Sequence, residues 1–172
     1  MPTIFWILWS LVIGQRMIEL AIAKRNGKRL LQMGGYEAGA GHYKYLVALH
    51  VFFFAALAVE TSLLHTEPPV WWPAACLLFG AAQVLRIWCI SSLGVHWNTR
   101  IYVLPGMNRV RRGPYRWISH PNYVVVSLEL LTLPLMFGAY MTAAVVTLGN
   151  IIVLRHRISV EEAALNAASL QP

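Results

Sequence analysis

The chain contains no aspartate. Its seven acidic residues are all glutamates, set against fourteen lysines and arginines. Charge of either sign is scarce: 12% of the 172 residues are charged and 58% are hydrophobic. Soluble domains carry about 25% charged and roughly 45–50% apolar residues. A water-soluble globular domain is thereby excluded, and an integral membrane protein remains. Without aspartate no Ser/His/Asp set can form. Cysteine is nearly absent too, and the two present, Cys76 and Cys89, fall inside one apolar segment. No CxxC or Cys/His ligand spacing occurs, so both read as packing thiols and no metal site is expected. The opening "MPTIFWILWS" lacks a basic n-region and a small-residue cleavage site, and reads as a retained span rather than a signal peptide. There is no internal repeat, no low-complexity segment and no Gly-rich dinucleotide fingerprint.

What is abundant is long apolar sequence. About 20 apolar residues make a helix that crosses a ~30 Å hydrocarbon core. Residues 3–23, 45–64 and 70–93 satisfy this. The stretch from Asn122 to Leu154 is long for one span, and Pro134 and Gly138 lie near its middle, where a break costs least. It predicts a tight hairpin over 121–136 and 138–155. The expected fold is an all-α integral membrane bundle of about five transmembrane helices in a single domain, 1–172, with a three-span scaffold (1–93) and a second region (94–172) holding the hairpin.

The net charge of +7 is placed asymmetrically. Lys24, Arg25, Lys28, Arg29 and Lys44 lie between spans one and two. Arg100, Arg109, Arg111, Arg112 and Arg116 lie between spans three and four, and Arg155 and Arg157 follow the last span. The opposite segments, "HTEPP" and the turn near Gly138, hold no lysine or arginine. Positive residues favour the cytoplasmic side, which predicts an outside N-terminus and an inside C-terminus in a bacterial cytoplasmic membrane. The surplus charge is then a topology signal and a contact for anionic lipid, not a nucleic-acid footprint. The Gly-rich stretch 25–43 reads as a structured cytoplasmic loop, and 91–119, rich in Trp, Tyr and Arg, as a segment packed at the membrane face.

Charged groups inside a membrane are costly and are functional candidates by default. Arg16 and Glu19 share a face of span one and can pair. Arg86 and Glu129, in neighbouring spans, can pair across the bundle. His50 reads as a hydrogen-bonded interior histidine, and Glu60 lies towards the outer interface. All five ionised groups are open to a structural or a functional role.

Two cytoplasmic stretches concentrate polar chemistry. In "RRGPYRWISHPNYVVV" (111–126), Pro121 fits a helix first turn and Ser119 or His120 its cap. Such a helix start attracts carboxylate or phosphate, and Tyr115, His120 and Tyr123 surround it. The bland alternative is an interfacial belt of aromatics and arginines. In "RHRISVEEAAL" (155–165), a continuing helix would put Arg157 and Glu161 on one face. Alternatively Ser159 and Glu162 form a capping box for a short surface helix.

Together, the Gly-Pro-Tyr-Arg, His-Pro-x-Tyr and Arg-x3-Glu-Glu-x2-Leu elements around a helical hairpin resemble the isoprenylcysteine carboxyl methyltransferase family. These are integral membrane enzymes that use S-adenosylmethionine. The resemblance covers about residues 94–165. "QRMIEL", "AKRNGKRLL" and "EAGAGHY" resemble a bacterial branch that methylates lipid-like polyketides such as alkylpyrones, with a type III polyketide synthase upstream in the pathway. It implies that Tyr115 and the block His120, Pro121, Asn122 and Tyr123 line the cofactor pocket. Arg109 and Val110 would contribute backbone contacts at the adenine end, and Glu161 would hold the cofactor. Arg157 is implied as the catalytic, substrate-facing arginine, with Arg100 as a second substrate-binding residue. The eukaryotic members have a longer tail after the Glu-Glu pair, whereas this sequence stops at Pro172, so cofactor closure is expected to differ.

The implied reaction is O-methylation of a lipophilic acidic acceptor, a carboxylate or a hydroxypyrone or phenolic lipid. A carboxylic acid or hydroxypyrone is already ionised at neutral pH, so alignment matters more than a general base. Three alternatives stay open. One is a membrane reductase using NADPH, whose 2′-phosphate Arg109, Arg111 and Arg112 could serve. The others are a phospholipid N-methyltransferase and a non-enzymatic membrane scaffold.

Overall fold

The computed structural model describes residues 2–106 and 109–169. Five helices carry the fold: α1 (Pro2–Gln32), α2 (Tyr43–Leu63), α3 (Trp72–Leu93), α4 (Pro121–Met136) and α5 (Tyr140–Ser169). Four of them, α1, α2, α3 and α5, are long and apolar enough to cross a membrane. The fourth in order, α4, has 16 residues and spans only ~24 Å, less than a full hydrocarbon core. The protein is an all-α, multi-pass membrane bundle, with four full-length helices and a short α4 whose bounds, Pro121–Met136, are those expected for the first arm of the hairpin. Its outer faces present Leu11, Ile18, Val51, Val84, Ile87 and Ile152 outward. In lipid such faces have no reason to be buried.

The hairpin forms where expected, with a physical reason at each residue. Pro134 stands in the last turn of α4, and the helix ends at Met136. Gly138 then adopts φ +72°, and a Cβ there would lie 2.5 Å from the Glu67 carbonyl oxygen. Only glycine fits that turn against the α2–α3 connection. The start of α5 is capped from another helix. The Glu60 carboxylate on α2 accepts from the backbone N–H of Met141 (3.0 Å) and Thr142 (2.7 Å), and from the Thr142 hydroxyl (2.6 Å). It satisfies orphan donors at the positive end of the helix dipole.

The helices run beyond the expected spans at one end. Of the stretch 25–43, expected as loop, residues 25–32 continue α1, and α5 runs unbroken through 155–165. Ser159 is therefore mid-helix, and no capping box forms. Between these extensions lies a two-stranded antiparallel sheet that hydropathy did not signal, β1 (Tyr36–Ala38) pairing with β2 (Ile101–Val103). Ile101 and Val103 pack on Ala164, Leu165 and Ala168 of α5. Asn26 on α1 donates to the carbonyls of Gly94 (3.1 Å) and Trp97 (2.8 Å), and Asn98 donates to Ala23 (2.8 Å). The segment after α3 is thus pinned across the bundle's basic end.

Inside the membrane, α1, α3 and α4 are joined by a charged quartet. Arg16 pairs with Glu19 (2.8 Å) and Glu129 (3.2 Å). Arg86, buried, pairs with Glu19 (3.2 Å) and grips Glu129 with two nitrogens. Gln83 donates to Glu129 at 2.6 Å, and Gln15 bridges Glu19 and Gln83. Both expected pairs exist, fused into one neutral cluster whose members compensate each other's desolvation.

Candidate functional site

Pro121 opens α4 at its first turn, and His120 is the residue before it, with φ −131° and ψ 61°. The His120 side chain does not cap the helix. It is drawn instead to the acidic pair on α5: Nε2 lies 2.7 Å from Glu162 Oε1, and Nδ1 lies 3.8 Å from Glu161 Oε2. Its ring stacks on Tyr123, one turn along α4, with centroids 5.3 Å apart and planes 16° apart. The Tyr123 hydroxyl donates to Glu161 and accepts from Arg157 Nε at 2.8 Å. Arg157, one turn before Glu161, also donates from Nη2 to the Thr99 carbonyl at 2.7 Å. A continuous helix through residues 155–165 is what puts Arg157 and Glu161 on the same face.

The His120–Glu161 juxtaposition thus joins the two stretches singled out in the sequence. Arg109 joins them as well, but through its side chain: it holds Glu162 with two nitrogens (2.9 and 2.6 Å) and reaches Asn166 (2.9 Å). Those bonds hold the Arg109 guanidinium above its ordinary arginine range, so its charge is permanent and already spoken for. Glu162 is the member that sequence reasoning missed. Its signal was present in the Glu-Glu pair, but only the helix phase shows that both carboxylates reach the same end of α4.

Two adjoining cavities open around this cluster. The larger, about 430 Å³, is lined by Arg109, Val110, Arg111, Tyr115, Arg116 and His120 together with Glu161. A smaller one of about 90 Å³ reaches Asn122, Tyr123, Arg157 and Trp97. The volume of the larger falls within the roughly 300–1,000 Å³ of small-molecule sites. Tyr115 belongs to a tight turn over Gly113–Arg116. Gly113 takes φ +54°, with no space for a Cβ beside the Ser92 hydroxyl. Burial pushes the Tyr115 phenol well above the ordinary tyrosine range, with Cys89 adding to the effect, so it stays a neutral donor. Cys76 and Cys89 are both free thiols.

A third cavity, about 500 Å³, lies between α1 and α2 within the apolar zone. Ile13, Met17, Leu20, Leu46, Val47 and Val51 line its sides, and the Trp9 indole closes its far end by donating to Phe54 O (3.1 Å). It shares Trp97, Asn98, Asn122, Tyr123 and Arg157 with the smaller polar cavity. Arg157 therefore stands where the apolar cavity and the polar ones meet. It is 4% exposed, and its Nη1 has no hydrogen-bond partner among the described residues. It forms no ion pair among the described residues. Trp97 Nε1 and Asn122 Oδ1 are likewise buried at the same junction without partners among the described residues.

Arg100 is positioned differently. It pairs with Glu37 at 2.8 Å and lies over the Tyr43 ring at 4.4 Å, with its side chain 42% exposed. It borders the smaller cavity with its charge already neutralised by Glu37. Pro121 is buried and sets the helix start.

With this arrangement in view, the comparison with known proteins is direct. Residues 74–167 match the isoprenylcysteine carboxyl methyltransferase (ICMT) family. The chain belongs to that family. The match covers α3, the cavity-lining segment after it, the hairpin and nearly all of α5. Its members are membrane methyltransferases that use S-adenosylmethionine. Full-length relatives include "Uncharacterized protein YpbQ" of Bacillus subtilis (strain 168), 39% identical over 167 residues, covering 97% of this chain and 99% of the relative. Another is an "Uncharacterized protein" of Haemophilus influenzae (strain ATCC 51907 / DSM 11121 / KW20 / Rd), 28% identical over 163 residues and covering 93% and 94%. ICMT membership makes the chain a membrane methyltransferase and leaves the acceptor open.

Proposed function

We propose that this ICMT-family protein is an S-adenosylmethionine-dependent O-methyltransferase acting on a lipophilic acid at the cytoplasmic face of the membrane. The observation that carries the reading is Arg157, a buried cation without a protein counter-ion among the described residues and with one free N–H, at the mouth of an apolar cavity. Buried charges are ordinarily paired, and an ionised acceptor oxygen supplies the missing partner. The lipid tail then lies between α1 and α2.

The polar cavities fit the cofactor by their donor set. Arg109 is already neutralised by Glu162, which leaves Arg111 and Arg116 on the wall of the larger cavity to take a carboxylate. Glu161 accepts from hydroxyls, Tyr115 and His120 offer faces to an adenine or a cation, and Val110 borders the same space. Asn122 and Trp97 bring unsatisfied polar atoms to the junction. When bound, the cofactor supplies an electrophilic methyl group. The protein's own part is to hold an acceptor oxygen that is already ionised, which Arg157 does without a general base. A carboxylate and the hydroxyl of a hydroxypyrone, including an alkylpyrone, meet this requirement equally. Tyr123 stands between the two, accepting from Arg157 and donating to Glu161.

Purified protein in lipid nanodiscs, given methyl-labelled S-adenosylmethionine and long-chain carboxylic acids or alkyl hydroxypyrones, should yield labelled methyl esters or ethers by mass spectrometry. Saturable NADPH binding in calorimetry with no heat from S-adenosylmethionine would overturn the reading in favour of a reductase. Label appearing in phosphatidylethanolamine would redirect it to N-methylation.

A further inference from the structure

The apolar cavity has a polar floor that acceptor alignment at Arg157 does not use. His50 Nδ1 lies 2.9 Å from the Leu46 carbonyl oxygen. A carbonyl only accepts, so Nδ1 carries the proton and the neutral ring turns a lone pair on Nε2 outward. That nitrogen has no partner among the described residues, and His50 lines the cavity together with Arg16, Glu19 and Arg86. Arg16 uses Nη1 on Glu19 and Nη2 on Glu129, while its Nε has no partner among the described residues. The residues lining the floor therefore include one acceptor and one donor. Because two arginines offset two glutamates there, it carries no net charge to attract a second anion. A neutral hydroxyl, which donates to one group and accepts from the other, is the complement.

The depth of this floor follows from three helices independently. Tyr43, which contacts Thr99 at the Arg157 level, lies seven residues before His50 on α2. Tyr123, bonded to Arg157, lies six residues before Glu129 on α4. Ala23, bonded to Asn98 at the same level, lies seven residues after Arg16 on α1. At 1.5 Å per residue each gives a separation of ~10 Å. An extended alkyl chain covers that ~10 Å in roughly eight carbon–carbon bonds.

We infer that the cavity selects acceptors bearing a hydroxyl near mid-chain, bound between His50 Nε2 and Arg16, about eight bonds from the oxygen held by Arg157. The inference deepens the proposed reading by naming the acceptor's second polar group. It rests on that reading for the place of the methylated end.

The test compares palmitic acid, palmitic acid hydroxylated at mid-chain and palmitic acid hydroxylated at its terminal carbon. Binding is followed by displacement of a fluorescent fatty acid from the full chain in nanodiscs, and turnover by methyl ester formation. The mid-chain hydroxy acid should bind roughly tenfold more tightly than the other two, the value of one good hydrogen-bonded group. In H50F this preference, read as the ratio of the affinities for the mid-chain hydroxy acid and for palmitic acid, should vanish. H50Q, which keeps an acceptor, should restore part of it. Equal binding of all three acids, or a preference that survives in H50F, overturns the inference. Selective binding with no methyl transfer overturns the proposed reaction and leaves the selectivity standing. Turnover of all three acids at equal efficiency does the reverse.

Discussion

In the proposed reaction, Arg157 concentrates the chemistry of the site in one side chain. Its Nε and Nη2 are fixed by Tyr123 and Thr99, and Nη1 is left over. Fixing two of three nitrogens pre-organises the third, so little is lost in orienting it when an anion arrives. Removing one partner of a buried charge pair costs about 2–5 kcal/mol. Arg157→Ala should therefore lower kcat/KM by roughly 10²-fold or more while changing cofactor affinity little, which single-turnover kinetics and calorimetry will separate. Arg157→Lys should not rescue, because one ammonium cannot hold Tyr123, Thr99 and an acceptor in that fork. Glu161→Gln should show the opposite pattern. A hydrogen bond to a charged group is worth about 1.5–3 kcal/mol, so cofactor binding should weaken by roughly tenfold or more, with lipid displacement unchanged.

Helix length decides where those residues meet. With 16 residues α4 is too short to reach both faces, while α5, with 30, covers ~45 Å and projects past the hydrocarbon. The start of α4 is thereby set below the end of α5, and the groove between them becomes a place where something water-soluble can approach something dissolved in lipid. The hairpin that fixes this offset is anchored at its other end by Glu60 on the first turn of α5. Caps are worth ~1 kcal/mol, and more with a carboxylate on the helix dipole. Glu60→Ala should cost about 1–2 kcal/mol, read as a lower midpoint of unfolding in detergent titrations. Hydrogen exchange should increase first at Met141 and Thr142.

At the scale of the molecule, the neutral quartet of Arg16, Glu19, Arg86 and Glu129 joins α1, α3 and α4 in the apolar zone. Glu129→Gln leaves two arginines with one carboxylate and should destabilise the fold by about 3–5 kcal/mol. Replacing Arg86 and Glu129 together by Met and Leu should recover most of that loss, since no unpaired charge remains. Denaturant titration of the single and double variants measures both. The bundle is also polarised in charge: Lys28, Arg109 and Arg116 lie at the site's end, and Glu67 at the other. On intact cells a membrane-impermeant thiol reagent should label Glu67→Cys. It should reach Lys28→Cys only after permeabilisation, and the converse pattern would place the site outside.

The sequence by itself determined the helices, the hairpin break at Pro134 and Gly138, and the identity of the residues that crowd the basic end. Each of these follows from local properties: apolar length, a ring without an N–H, a residue without a Cβ. It also indicated both ion pairs, because charges in hydrocarbon have few partners to choose from. What it left undecided was phase and reach. Whether 155–165 continued α5 or restarted under a Ser159 cap is settled by the packing of Ala164, Leu165 and Ala168 on β2. That same continuity brings Glu162 onto His120 and Arg109. The short sheet and the cap from Glu60 were hidden because both depend on partners more than sixty residues away in the chain. Only tertiary structure decided that Glu37 neutralises Arg100 while Arg157 finds no carboxylate among the described residues. Side-chain type says what a group can bind, and distance alone says whether the protein has already bound it.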